Sequence, residues 1–204
     1  MRVQGRTGPE TFRAFSLMEG NHVHHFLALR LADGPRDRLA AIADRLRAWD
    51  LSARWVHPED YHLTLLFLGD CTDDDLPGIR YAAADLAGSL QQPELELVGL
   101  GAQGGRTEPQ RVFAACTDPS GRCALTHQGL AAALGETPDL DYKPHITLCR
   151  PHPGPASARS WPELFAAFGE GNWGPCPTTH LVLYRSGSGT PRYDALASWP
   201  LIKA

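Results

Sequence analysis

An α+β fold is predicted for this chain of 204 residues, and three observations predict it. Segments with strand periodicity and segments with helix periodicity alternate along the chain. Strand–turn–strand units interrupt that alternation, which a regular doubly wound sheet does not accommodate. The composition, 43% hydrophobic and 21% charged, is that of a globular protein able to close a core without disulfide or metal staples.

The elements follow in order. Met1 to Gly20 hold Gly5, Gly8, Pro9 and mixed charge with no long apolar stretch, so residues 1–22 read as a flexible N-terminal extension rather than a leader. His24 to Arg30 reads as a first strand, closed by Asp33-Gly34-Pro35. Pro35 suits an early helix position with Asp33 as its cap, and Leu39, Ile42, Ala43 and Leu46 recur at helical spacing. Arg54-Trp55-Val56 is a short extended piece, and His57 to Asp60 a turn. Tyr61 to Leu68 is an apolar strand stopped by Gly69-Asp70. Thr72 with Asp73, Asp74 and Asp75 suits the positive end of a helix that continues through Ile79 to Leu90. Leu95 to Leu100 and Arg111 to Cys116 form a long hairpin around Gly101 to Gln110. Asp118-Pro119 opens a helix that ends near Gly135. Pro144 to Cys149 is a strand, Trp161 to Phe168 a short helix, and His180 to Arg185 and Tyr193 to Leu196 are late strands.

Bulk properties exclude several functions. A net charge of -4 argues against a protein that coats long nucleic acids, although a local basic pocket is allowed. Five cysteines, an odd number with no C-x-x-C pair, support neither a cysteine zinc site nor a disulfide framework. They fit a reducing cytoplasm. No apolar run has the length of a membrane span.

One internal similarity carries chemistry. His62-Leu63-Thr64-Leu65 and His145-Ile146-Thr147-Leu148 share the pattern His-apolar-Thr-apolar, in two predicted strands. The composition of this chain yields about 0.1 such matches by chance. Strand side chains alternate, so His62 and Thr64 share a face, as do His145 and Thr147, while Leu63 and Ile146 point into a core. Two such strands side by side present two imidazoles and two hydroxyls to one cleft. One imidazole can take a proton and the other give one near neutral pH, and the hydroxyls can donate to phosphate oxygens. No metal or cofactor is called for.

The surroundings of these motifs resemble the 2H phosphoesterase superfamily, in particular its LigT-like branch of RNA 2′,3′-cyclic phosphodiesterases. Arg54 to Gly69 (RWVHPEDYHLTLLFLG) is similar to that branch's first block, and Lys143 to Arg150 (KPHITLCR) to its second, with Cys149 in place of a small residue. Phe26 to Leu29, Leu183 to Ser186 and Trp199 to Leu201 match its opening and closing segments. The resemblance implies a bilobal fold over residues 23–204, with two pseudo-symmetric lobes of mainly antiparallel sheet flanked by helices. It implies hydrolysis of a terminal 2′,3′-cyclic phosphate to a 2′-phosphate, with His145 as base, His62 as acid, and Thr64 and Thr147 holding the phosphate.

Other residues are weighed beside these. Arg150 lies at an odd offset from His145, so alternation alone does not place it in the cleft, yet the resemblance implies phosphate contact. Tyr61 and Tyr142 could stack on a base, although packing in the core or at the rim suits them better. Lys143 and Arg106 read as solvated side chains, and Arg185 and Ser186 as turn residues that the resemblance brings near phosphate. His22, His24 and His25 lack a third ligand pattern, and Cys149 lacks a base partner for a nucleophilic thiol. The expected ligands are RNA ends or cyclic nucleotides bearing a 2′,3′-cyclic phosphate, bound by a monomer without membrane contact. Reversible 2′–5′ RNA ligation, action on a small cyclic nucleotide, and a non-catalytic nucleotide-binding module are the alternatives.

Overall fold

The first strand, β1 (His25–Leu31), lies between two neighbours of its sheet and is buried at every position except Arg30. The computed structural model describes residues 23–152 and 160–203; the N-terminal segment read as an extension, His22 included, lies outside the described residues. Helix α1 (Asp33–Arg47) buries Leu39, Ile42, Ala43 and Leu46, the stripe that the periodicity predicts. Its cap is Ala32, without a side-chain hydrogen bond; Asp33 lies inside the first turn and pairs with Arg36 at 3.1 Å. Then come β2 (Ala53–Trp55), a single 3-10 turn (Pro58–Asp60) and β3 (His62–Gly69).

Helix α2 (Leu76–Ala87) begins after the acidic run rather than within it. The Asp75 carboxylate accepts from the Thr72 amide and hydroxyl at 2.8 and 2.7 Å, which closes a turn ahead of the helix. Strand β4 (Glu96–Gln103) runs past Leu100, so its hairpin with β5 (Arg111–Thr117) is tighter than expected. Helix α3 (Arg122–Leu134) starts four residues after Asp118, whose carboxylate accepts from the Cys123 amide at 2.7 Å. It ends at Gly135, in the left-handed conformation (φ 71°) that glycine supplies at low cost. Strand β6 (His145–Pro151), helix α4 (Trp161–Phe168), β7 (Gly174–Pro175), β8 (Thr178–Ser186) and β9 (Tyr193–Pro200) complete the described chain.

Among the described residues four α-helices accompany two mainly antiparallel sheets, ordered β3-β1-β8-β9 and β2-β6-β5-β4-β7. The two halves of the chain repeat one order, strand–helix–strand–helix–strand: β1, α1, β3, α2, β4 and then β5, α3, β6, α4, β8. The third strand of each half crosses over, β4 to lie beside β5 and β8 beside β1. Leu63 and Ile146 are fully buried in one continuous core. Their neighbours His62, Thr64, His145 and Thr147 stand half-buried on the other faces of β3 and β6.

Candidate active site

Both motifs take the same local form. The His62 Nδ1 lies 2.7 Å from the carbonyl oxygen of Asp60, and the His145 Nδ1 lies 2.8 Å from that of Lys143. A carbonyl only accepts, so each ring donates from Nδ1 and, when neutral, carries its lone pair on Nε2. The Thr64 hydroxyl lies 3.1 Å from the Nε2 of His62. Each imidazole also rests on a phenylalanine from the neighbouring strand: Phe26 under His62 and Phe113 near His145, both with ring centroids 4.7 Å apart. Tyr193 meets His62 edge-on at 5.2 Å.

A bulge follows the threonine in each motif. Ala28 pairs with Thr64 and Leu27 with Leu66, which leaves Leu65 as an extra residue in β3. Phe113 pairs with Thr147 and Val112 with Cys149, which leaves Leu148 as the extra residue in β6. One extra residue reverses the alternation beyond it. Arg150 therefore joins the face of His145 and Thr147 in spite of its odd offset, which simple alternation did not assign. By the same device Phe67 stands at the equivalent position of β3, opposite Phe26, with 48% of its surface exposed. The Leu65 carbonyl is held by His127 from α3 at 2.7 Å, and the Thr64 carbonyl by the Tyr142 hydroxyl at 2.8 Å. Tyr142 immediately precedes Lys143, so a single hydrogen bond ties the approach to the second motif to the first motif's strand.

Arg111 is the residue that motif reading missed. It lies on β5 with Phe113 and Ala115, which pairs with His145. Burial, then the charge of Arg150, pulls the Arg111 guanidinium down to about 10. Burial also lowers Arg150, which hydrogen-bonds to the hydroxyl of Tyr193. The Arg111 Nε is buried without a hydrogen-bond partner. Burial foremost, then the charges of His145, Arg150 and Arg111, lowers His62 to about 4 against the pull of the Asp60 carbonyl. His145 is lowered as well, by burial and then by Arg111, against the Lys143 carbonyl. Two neutral imidazoles and two mutually repelling guanidiniums in a half-buried cleft form a receptor for an anion.

The depressed His62 has a measurable effect. Its ordinary value is 6.5, so between about 4 and 6.5 the unfolded chain binds a proton that the folded chain refuses. The contribution is complete above pH 6.5 and is lost as pH falls towards 4. The melting temperature is expected to drop across this window, and less steeply in His62→Gln; parallel profiles for both proteins would refute this assignment.

The remaining candidates are placed elsewhere. Tyr61 is buried at 3% exposure, and Tyr142 is stacked on His127 at 4.7 Å, so neither offers a free face. Lys143 contributes its carbonyl through an exposed residue. Arg185 pairs with Asp194 at 3.2 Å, and the Ser186 hydroxyl accepts from the His24 amide. Arg106 lies over the Phe165 ring. Burial raises the Cys149 thiol to about 12, which removes it as a nucleophile. No group of three metal-ligating side chains occurs among the described residues, and no helix among them is long and apolar enough to cross a membrane.

Comparison with known proteins bears on the family and the fold. The family model described as LigT like Phosphoesterase matches residues 29–114, which include the first motif, Phe67 and Arg111. The chain carries a LigT-like phosphoesterase domain. An RNA 2′,3′-cyclic phosphodiesterase of Geobacillus stearothermophilus is 30% identical over 190 residues, 89% of this chain. The chain spans 58% of that relative's length. A protein of the same description from Methanothermobacter thermautotrophicus is 28% identical over 171 residues, covering 80% of this chain and 90% of the relative. Among solved structures, Thermus thermophilus TT0787 superposes with a TM-score of 0.68 at 25% identity, over 87% of this chain and 97% of its own. LigT of Escherichia coli gives 0.67 at 20% identity, over 89% and 99%, and has also been solved with 3′-AMP. The second LigT-like motif, with His145 and Arg150, lies beyond the residues that the family model matches.

Proposed function

We propose that this LigT-like protein is an RNA 2′,3′-cyclic phosphodiesterase that works by two-histidine acid–base catalysis without a metal. The observation that carries the reading is the matched pair of imidazoles, each donating from Nδ1 to a main-chain carbonyl, beside Arg111 and Arg150. The names of the curated relatives support the substrate class. In the reaction His145 takes a proton from water as the water oxygen attacks phosphorus. The P–O3′ bond breaks, and His62 protonates the departing O3′, so the phosphate stays on O2′. Arg111, Arg150, Thr64 and Thr147 bear the charge on the non-bridging oxygens.

Burial and neighbouring positive charge depress both imidazoles. The anionic substrate therefore recruits the proton that the acid needs: phosphate charge raises both histidines, and one is protonated in the complex. Cationic walls that favour an anion disfavour a divalent cation, which supports the metal-free reading. The odd count of five cysteines without a C-x-x-C pair fits action in a reducing cytoplasm.

Phe67, tilted against the His24 ring at 5.5 Å and still 48% exposed, stands on the cleft side of β3, where a nucleobase could reach it. Phe67→Ala is expected to raise KM for a nucleoside 2′,3′-cyclic phosphate about tenfold, within the range of base–aromatic stacking. Inhibition by inorganic phosphate should not change; an equal loss for phosphate would remove the stacking role.

The test of the function is incubation, in the presence of chelator, with an oligoribonucleotide ending in a 2′,3′-cyclic phosphate, the products being resolved by chemistry. A 2′-phosphate end supports the reading. A 3′-phosphate end, joined strands, or a reaction abolished by chelator overturns it in regiochemistry, acceptor or metal independence respectively.

A further inference from the structure

Arg54 stands directly opposite Arg150 across the β2–β6 pair. Like charges directly opposite on neighbouring strands repel. Strand β2 has only three residues and forms the edge of its sheet, so it is poorly placed to bear that cost. The ion pairs among the described residues include none to Arg54, Arg111 or Arg192. Arg192 is brought to the same corner by its main chain. The buried Asp60 carboxylate accepts from the Arg192 amide at 2.9 and 2.8 Å and from the Tyr193 amide at 3.1 Å. Arg192 lies close enough for its charge to act on Arg150, as does that of Arg54. A chain of net charge -4 thus gathers four arginines about one cleft, more than a single phosphate requires.

We infer that Arg54 and Arg192 form a second anion subsite beside Arg111 and Arg150, which takes the phosphodiester on the 5′ side of the nucleotide carrying the cyclic phosphate. The inference rests on the proposed action at RNA ends and narrows its substrate to a polynucleotide end. Strands in a sheet are about 4.8 Å apart, so Arg54 extends the basic surface by one strand spacing beyond Arg150. The long side chains of both residues cover the further distance between neighbouring phosphates. Both are exposed, and no strand of the sheet lies beyond β2, so a chain can continue outward over this edge.

The experiment is equilibrium binding of three ligands at several salt concentrations, to the wild-type protein and to Arg54→Gln/Arg192→Gln. The ligands are a nucleoside 3′-monophosphate, a dinucleotide with a 3′-phosphate, and a nucleoside 3′,5′-bisphosphate. The double variant should bind the dinucleotide about tenfold more weakly, with a log–log salt slope smaller by roughly 0.7 for each phosphate charge that is no longer neutralised. Its affinity for the monophosphate should stay as in the wild type. Equal weakening of all three ligands, or of none, would overturn the subsite. Weakening confined to the bisphosphate would overturn it in favour of a closed site for free nucleotides. Binding does not require turnover, so failure of the wild type to hydrolyse a cyclic phosphate would sink the proposed reaction and leave the subsite measurable.

Discussion

Replacing His145 with alanine is expected to lower kcat on a 2′,3′-cyclic phosphate end by about 10³-fold, within the range of general acid–base catalysis. His62→Ala should lose a similar amount. The two losses should not add in the double variant, because neither proton transfer completes the reaction alone. The fold should tolerate both changes. Each imidazole is half-buried and rests on one face of a phenylalanine, and its single main-chain hydrogen bond is to a carbonyl that water can reach once the ring is gone. A melting temperature within a few degrees of wild type, with activity lost, is the expected pairing. Activity retained in either single variant would end the two-histidine mechanism. An alternative substrate that rescues only His62→Ala, one whose leaving oxygen needs no proton, would assign the acid role to that residue.

Arg111→Gln and Arg150→Gln are expected to cost about 10²- to 10³-fold each in kcat, the usual loss for one preorganised donor to a developing oxyanion. Arg111 carries a second, more specific expectation. Its charge helps to depress both His62 and His145. Removing it should raise both, so both limbs of the kcat/KM profile should move to higher pH. Arg111→Lys keeps the charge and should leave the limbs nearly in place while losing the guanidinium geometry. A profile that stays fixed in Arg111→Gln would show that Arg111 does not act on the imidazoles through its charge. Relief of the repulsion with Arg150 should also make the glutamine variant at least as stable as wild type.

The matched histidine–threonine strands were legible in the sequence because their signal is local. His-apolar-Thr-apolar states the face of each residue by alternation alone, and Leu63 and Ile146 are buried as that alternation requires. The helical stripe of α1 was legible for the same reason. Features that depend on a partner strand were not. The bulges at Leu65 and Leu148 exist only in the register of β3 with β1 and of β6 with β5, and they decide the faces of Phe67 and Arg150. Arg111 is a lone arginine at a strand start, and nothing within β5 itself says that His145 lies alongside. Its one available signal was the spacing Arg111-x-Phe113-x-Ala115, which sets it opposite the fully buried face of Val112 and Ala114. The exchange of β4 and β8 between sheets also lay beyond reach, because pairing partners far apart in sequence leave no periodicity.

The two bulges also bear on direction. A cleft with true two-fold symmetry would accept a cyclic phosphate in either of two orientations. Half of all encounters would then offer the sugar oxygen to the wrong imidazole. The equivalent positions five residues after His62 and His145 hold an aromatic ring in one strand and a guanidinium in the other. Under the proposed reaction that inequality would lift the degeneracy: the ring would set the nucleoside on one side, and the charge the phosphate on the other. A duplicated frame would thereby act as a polar instrument, able to tell a 2′ oxygen from a 3′ oxygen.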